Sequence, residues 1–591
     1  MSQPSSKRRE LNDDEFYQDV ADIRFFSESL KLRVTALSCQ TIGEDCTIYA
    51  KYEDDILRFD NQVGEFLNFS RTLEENAQLS PHFRSLRVSR QSAMEALYSL
   101  EAEVRKSIPI QQGITCAAKI GDAIWIGTEQ GVMRWSMNVG WRCFAGSRWL
   151  PDDRVHTILE DGSGRVCIGA ETGVSFITPI LLSLAEKADI FERQVSERHS
   201  RNGFITVCRL DSPGDLTSFL PIASDNDGLW TALYIWAESM RYAVTKEDRA
   251  RELAAKSMKA LLSLVSVTGI PGFPARATVG KDERVELSDP GPSWRPSPVE
   301  PGNLYKEDTS SDELAGHYLA WFVFSEMAST PEERAQIAET CRAVTKHILD
   351  HDLTLVGPTG LRTSWGVWTP KFLNDDPEWR WERGLNSLEI LSHLKVAFHL
   401  CGDAEFEMAY RTLIQEHHYA ENVIEQKVRP PAGENNHSDD ELAACAYFPL
   451  LMLENDHELR SIYLKSLERT HSFLRPEGSP FYNYLYTALS GKSGLNEARA
   501  SQSWLREVPL DLRHWKMRNQ HRADVLIDPE PGRFGEIQLK EPLSPAERHI
   551  IKWNSNPYEA DGGSGGDIEE DAAFWLLAYW LGEWTKRKQA A

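Results

Sequence analysis

"DELAGHYLAWFVFSEMASTPEERAQIAETCRAVTKHIL" (Asp312–Leu349) sets two helices of opposite character end to end. The first, to Met327, is apolar around most of its circumference, as a helix buried on all sides must be. The second, from Pro331, is charged on one side and apolar on the other, so it predicts a half-exposed helix. The alternation recurs along the chain. "DGLWTALYIWAESM", "NSLEILSHLKVAFHL", "DDELAACAYFPLLML", "PFYNYLYTALSG" and "EDAAFWLLAYWLGEW" repeat the buried type. "PILLSLAEKADIFERQVSERH", "EDRARELAAKSMKALLSLV", "DAEFEMAYRTLIQEHH", "DHELRSIYLKSLERTHSFL" and "LNEARASQSWLREV" repeat the amphipathic type. Six of each predict an (α/α)6 toroid over residues 179–591, an inner ring of helices wrapped by an outer ring.

In such a ring the inner helices run parallel, and all their N-termini open at one mouth. The segments that precede them are long and polar: "SDNDG", "SPVEPGNLYKEDTSS", "TSWGVWTPKFLNDDPEWRWERGL", "RPPAGENNHS" and "WNSNPYEADGGSGGDIE". Long loops crowded at one end of a scaffold are where sites are built.

Ahead of the helices the period is that of strands. "IWIGTEQGVMRWS" (Ile124–Ser136) is echoed by "VCIGAETGVSFIT" (Val166–Thr178), about 42 residues on, a propeller-blade interval. "TIYAKYEDDILRFD" and "SLRVSRQSAMEALYSLE" read as worn copies. The expected organisation is therefore residues 1–112 with degenerate β repeats, 113–178 with two clear repeats, and the toroid from 179. The fold class is α+β multidomain and mainly α.

Two inner helices begin alike, "DTSSDELAGH" (Asp308–His317) and "NHSDDELAAC" (Asn436–Cys445). Ser310-x-x-Glu313 and Ser438-x-x-Glu441 match the capping box, in which the Ser side chain and the Glu carboxylate satisfy each other's backbone N–H groups. Capping accounts for those residues and leaves others over. Asp227, Asp308, Asp312, His437 and Asp440 are the catalytic candidates, because first-turn acids around one mouth share a funnel. Crowded carboxylates cannot all ionise, so one is held neutral as a general acid while another stays charged. Glycosidic bond cleavage asks for that pairing. Asn226, Trp230, His317, Trp365, Trp368, His521, Arg522 and Trp553 are the substrate-binding candidates: flat rings for a sugar face, and Arg522 with His521 for an anionic group such as a uronate carboxylate. "GGSGGD" (Gly562–Asp567) is either a mobile lid or a loop of close backbone approach.

This chemistry requires no cofactor. Asp308, His437, Asp439 and Asp440 leave a divalent cation as an open alternative, although no zinc or EF-hand spacing is present. Nucleotide fingerprints and a nucleophile elbow are absent. A net charge of −24 argues against nucleic acid or an anionic membrane as partner. No run has the length of a membrane span or the h-region of a signal peptide. Nine cysteines without CxxC pairs are expected to be reduced thiols in a cytoplasmic protein.

The helical part is similar in architecture, acids and aromatic loops to the (α/α)6 carbohydrate-active enzymes, including unsaturated glucuronyl hydrolases and related glycosidases and lyases. With its two-component-regulator type of propeller repeat, the whole chain resembles a group in which such repeats precede a toroid; "DNDGLWTA", "DTSSDE", "GLNSLEIL", "NHSDDELA" and "WNSNPY" carry that likeness. The resemblance implies a glycosidase or lyase acting on an oligosaccharide. A lyase would draw on Tyr482, Tyr484 or His437 as base, with Arg522 as neutraliser. Two other functions stay open: a terpenoid or other carbocation cyclase, which would use "DNDG" within an apolar aromatic cavity, and a non-catalytic binding scaffold.

Overall fold

A computed structural model describes residues 15–25 and residues 95–590 except 96, 161–163, 428–429, 531 and 550–551; between residues 34 and 85 it describes the backbone of five strands. The chain divides into two compact units. One holds residues 1–184, 506–550 and 558–566; the other holds 185–505, 551–557 and 567–591.

The first unit is built on antiparallel sheets. Strands β1 (Glu15–Phe25), β2 (Val34–Ile42), β3 (Asp45–Tyr52), β4 (Asp55–Asp60), β5 (Glu65–Asn68) and β6 (Arg84–Ser85) precede the clear repeats. β7 (Ile114–Ile120), β8 (Ala123–Thr128), β9 (Gly131–Ser136) and β10 (Gly140–Phe144) form one four-stranded meander. β11 (Val155–Glu160), β12 (Val166–Ala170) and β13 (Gly173–Ser183) form the next, and β1 completes it, paired from Glu15↔Ser183 to Phe25↔Gly173. The order β5-β4-β3-β2-β6 makes a third sheet. The worn copy "TIYAKYEDDILRFD" falls on the β3–β4 hairpin, whereas most of "SLRVSRQSAMEALYSLE" lies outside the described residues. In the core, Trp125, Phe144, Trp149 and Ile168 of the repeats pack with Trp515 and Met517. Cys143 N–H donates to Glu547 (2.7 Å) and Arg148 to Arg548 O (2.8 Å). Residues 506–550 and 558–566 thus belong to the first unit, whereas the sequence reading assigns all of 179–591 to the toroid. The glycine-dense segment is a close-approach loop: a Cβ at Gly563 would stand 2.1 Å from Trp515 O, and one at Gly566 2.1 Å from the Trp515 ring.

The second unit carries twelve longer helices among the described residues: α1 (Leu184–Gln194), α2 (Asp227–Thr245), α3 (Asp248–Ser266), α4 (Ser311–Met327), α5 (Pro331–Asp350), α6 (Arg383–Cys401), α7 (Ala404–Gln415), α8 (His437–Leu453), α9 (His457–Leu474), α10 (Pro480–Ser490), α11 (Leu495–Glu507) and α12 (Ala573–Ala590). The six apolar helices make a closed series of contacts: α2 packs on α4, α4 on α6, α6 on α8, α8 on α10, α10 on α12, and α12 back on α2. The amphipathic α3, α5, α7 and α9 lie against them. Trp236, Trp321, Phe448, Phe481 and Trp575 fill the interior, all fully or almost fully buried. The fold is thus mainly α with a β region. Before α6 runs a hairpin, β14 (Thr354–Val356) and β15 (Arg362–Val367).

Candidate active site

Neither expected capping box forms. α4 does start after Ser310, but the Ser310 side chain makes no cap hydrogen bond. α8 starts two residues earlier than the pattern requires, after Asn436, again without a side-chain cap. Glu313 and Glu441 are instead turned inward and fully buried. Glu313 Oε1 accepts Leu229 N–H of α2 (3.4 Å); its Oε2 has no hydrogen-bond partner and lies 3.8 Å from His317 Nδ1. Both carboxyl oxygens of Glu441 are buried without a hydrogen-bond partner.

Around Glu441, on α8, lie charged groups from the start of α4, from the segment leading into α12 and from Lys552. Burial pushes its carboxyl up to about 8; Lys552 pulls against that, while Asp571, Glu570 and Asp312 add to it. Glu389, on α6, is likewise raised to about 8, by burial first, with the Trp368 indole N–H on its Oε2 (3.0 Å) opposing and Asp312 adding. Asp312 is half-buried; burial raises it, Arg276 opposes and Asp439 adds. Lys552 Nζ lies 3.0 Å from Glu570, 3.7 Å from Asp571 and 4.0 Å from the ring centre of half-buried Trp230. Arg276 ties the loops together, donating to Asn226 Oδ1 (2.8 Å) and Asp308 O (3.2 Å). Asn226 Nδ2 in turn donates to Asp312 (3.4 Å). The result is a buried set of carboxyls, with nearly buried Lys552 among them, behind a partly exposed rim of Asn226, Trp230 and Asp312.

Several candidates have other tasks. Asp227 is fully buried and ion-paired with Arg201, and its other oxygen accepts the Ser224 N–H and hydroxyl at 2.8 Å. Both of its oxygens are therefore occupied. Asp308 sits at φ +61° and accepts Ser364 N–H (2.8 Å), a loop clasp. His437 pairs with Glu477 (2.9 Å); burial opposes its charge, but that carboxylate holds it above the usual range. Asp440 is the exception among them: it is buried beside this pair, both its carboxyl oxygens lack a hydrogen-bond partner, and burial raises it to about 8. His317 is pushed down to about 4 by burial, and its ring packs edge-on against Trp321. Trp368 is a buried donor to Glu389 rather than a stacking face, whereas Trp365 is 53% exposed. Trp553 is core, packed between Phe481, Trp504 and Phe574. His521 and Arg522 belong to the first unit, where Arg522 is held by Glu547 (2.8 Å) and Asp524 (2.7 Å), so its charge is already matched.

Four residues escaped the sequence reading as site members: Glu389, Glu441, Lys552 and Asp571. Glu389 carried a usable signal, a lone acid inside the apolar "GLNSLEIL". Lys552 and Asp571 lie at the ends of a long loop and carried none. No group of three or more His, Cys, Asp or Glu that could hold a metal ion occurs among the described residues. The cation reading fails on geometry as well, because Asp308, His437 and Asp439 are each committed to Ser364, Glu477 and Lys427.

No family model matches this chain, and no curated protein matches it. A solved structure described as "structure of AaCel9A in complex with cellobiose-like isofagomine" aligns over 81% of this chain and 99% of that chain, at 11% identity and a TM-score of 0.37. A likeness that loose bears no weight on activity.

Proposed function

We propose that the second unit is an (α/α)6 glycosidase acting on an oligosaccharide, with Glu441 as general acid and Asp312 as the carboxylate that faces it. The observation that carries this reading is the Glu441 carboxyl: buried, without a hydrogen-bond partner, raised to about 8, and flanked by Asp312 and Lys552. A carboxyl left neutral at pH 7 has a proton to give to a leaving-group oxygen. Asp312, at the half-exposed rim, is within reach of solvent and is the natural partner for water or the sugar carbon. Glu389, oriented by Trp368, lends a second buried carboxyl for hydroxyl groups.

The polar surroundings favour a polyhydroxylated substrate over an apolar prenyl chain: Lys552, Glu570, Asp571 and Asp312 would all be stripped of water by hydrocarbon. Two of the lyase bases are poorly placed: the Tyr482 hydroxyl is bonded to Trp553 O (3.4 Å) and raised by burial well above the phenol range, and His437 is paired with Glu477 (2.9 Å). The sheets of the first unit, read as propeller-type blades, contribute no member of this cluster. The test is hydrolysis of a panel of aryl glycosides and reduced oligosaccharides. Glu441→Gln and Asp312→Asn should each remove turnover of whichever substrate the wild type cleaves; undiminished turnover in both would end the proposal.

A further inference from the structure

The β14–β15 hairpin and the segment after it carry an aromatic surface outside the acid cluster. Trp365 is 53% exposed and Trp381 66%. Trp365 lies 6.1 Å from Trp379, which lies 5.5 Å from Phe372. Over the last two sits the Arg362 guanidinium, 4.8 Å from the Phe372 ring centre and 5.6 Å from that of Trp379. Its hydrogen bonds go only to the backbone carbonyls of Thr363 and Ser364, and among the described residues it has no carboxylate partner. That sets it apart from Arg201, Arg142 and Arg522, each ion-paired in a chain whose net charge is −24. Two bonds fasten this surface to the acids. Ser364 N–H donates to Asp308, four residues before Asp312, and Trp368 donates to Glu389.

An arginine without a carboxylate partner over two partly exposed rings, Phe372 and Trp379, with exposed Trp365 beside them, suits a ligand with both a flat apolar face and a negative charge. Aromatic faces stack on sugar rings, and a guanidinium on a stacked platform pairs with carboxylate or sulfate. We propose that Arg362, Trp365, Phe372 and Trp379 form an outlying subsite for an acidic sugar unit of the oligosaccharide cleaved at Glu441. The assignment of cleavage rests on the glycosidase reading above; the binding itself does not. The acidic sugar recognition assigned at first to Arg522 thereby moves to an arginine whose charge is unmatched.

Affinity electrophoresis of the full chain tests it, in gels containing polygalacturonate or dextran sulfate and, as neutral counterparts, methyl-esterified polygalacturonate or dextran. At least one acidic polymer should retard the wild type more than its neutral counterpart does. Arg362→Gln should weaken that retardation by about tenfold, and Trp365→Ala by a similar factor, while Lys492→Gln, at an exposed cation paired with Glu468, leaves it unchanged. Carboxylate and sulfate are told apart by which polymer responds. Equal retardation by the neutral counterpart, no retardation by either acidic polymer, or an Arg362→Gln variant that binds like wild type overturns the subsite. Should Glu441→Gln keep its turnover while the Arg362-dependent binding persists, the catalytic reading fails and the subsite holds.

Discussion

The start of α5 and the starts of α4 and α8 share one sequence pattern and do opposite things with it. At α5 the Thr330 hydroxyl accepts the Glu333 N–H (3.2 Å), and the Glu333 carboxylate accepts the Thr330 N–H (2.8 Å), a complete capping box. At α4 the same spacing of Ser310 and Glu313 closes no box, and at α8 the helix has begun before Ser438 is reached. The neighbours make the difference. Glu333 stands on the outer layer, partly exposed, with Arg251 at 2.9 Å. Glu313 stands against the start of α2, so close that a Cβ on Gly228 would come within 2.0 Å of its Oε2. A side chain held that way cannot fold back on its own helix. In this chain the capping pattern gives a cap where water surrounds the first turn; where another helix surrounds it, the pattern marks a carboxyl turned inward, with at least one oxygen left without a hydrogen bond.

If that contrast is correct, the greatest divergence appears in turnover. Glu441→Gln should lower kcat by about 10²–10⁴-fold, the usual reach of a general acid, whereas Glu333→Gln should leave it untouched. For a group active in its protonated form, the alkaline side of the pH profile belongs to its own ionisation. The wild type should therefore lose activity above about pH 8, where Glu441 gives up its proton. An alkaline limb unchanged in Glu441→Gln would assign the acid elsewhere.

The next effect separates paired from unpaired acids in the first turns. Asp227 owes its charge to Arg201, which also holds Glu283 at 2.8 Å. Arg201→Met strands a buried carboxylate and should cost about 3–5 kcal/mol in urea unfolding at pH 7. Glu441 has no such cation in hydrogen-bond contact, so its removal should act in the other direction. Its folded-state value of about 8 lies above the 4.5 of an ordinary glutamate, so the native chain keeps a proton that the unfolded chain has lost. Stability is thus fullest below about pH 4.5 and is drained as pH climbs toward 8. Glu441→Gln, which never ionises, should match the wild type near pH 4.5 and exceed it by a few kcal/mol, on the order of 2–4, at pH 9. Thermal unfolding at the two pH values checks the sign.

How far these roles were legible differs between the parts. The twelve helices were readable because burial on all sides and burial on one face leave different periodicities, and "DELAGHYLAWFVFSEM" beside "PEERAQIAETCRAVTKHIL" displays both. That acids crowd the inner starts was readable as well. Which acid is free was not, since that is decided by residues remote in sequence: Arg201 claims Asp227, Glu477 claims His437, and Lys427 claims Asp439. His521 and Arg522 were misassigned because nothing in "RNQHRAD" reveals that Trp515 and Met517 carry the segment into the β core. Aromatic content had the same ambiguity. Trp553 and Trp365 look alike in a loop, yet one is core and the other is half open to water.

The smallest expected effect is the most direct check on the capping contrast. Thr330→Ala removes an acceptor that the α5 backbone uses and should cost about 1 kcal/mol, the ordinary value of an N-cap. Ser310→Ala removes a hydroxyl with no cap bond; its one side-chain contact of that end is Asn226 Oδ1 at 3.5 Å, so the loss should stay within a few tenths of a kcal/mol. Urea midpoints for the two variants at fixed slope give both numbers. Equal losses would mean that the α4 start is capped in solution as the α5 start is, and Glu313 would then turn back to its own backbone and leave the acid cluster.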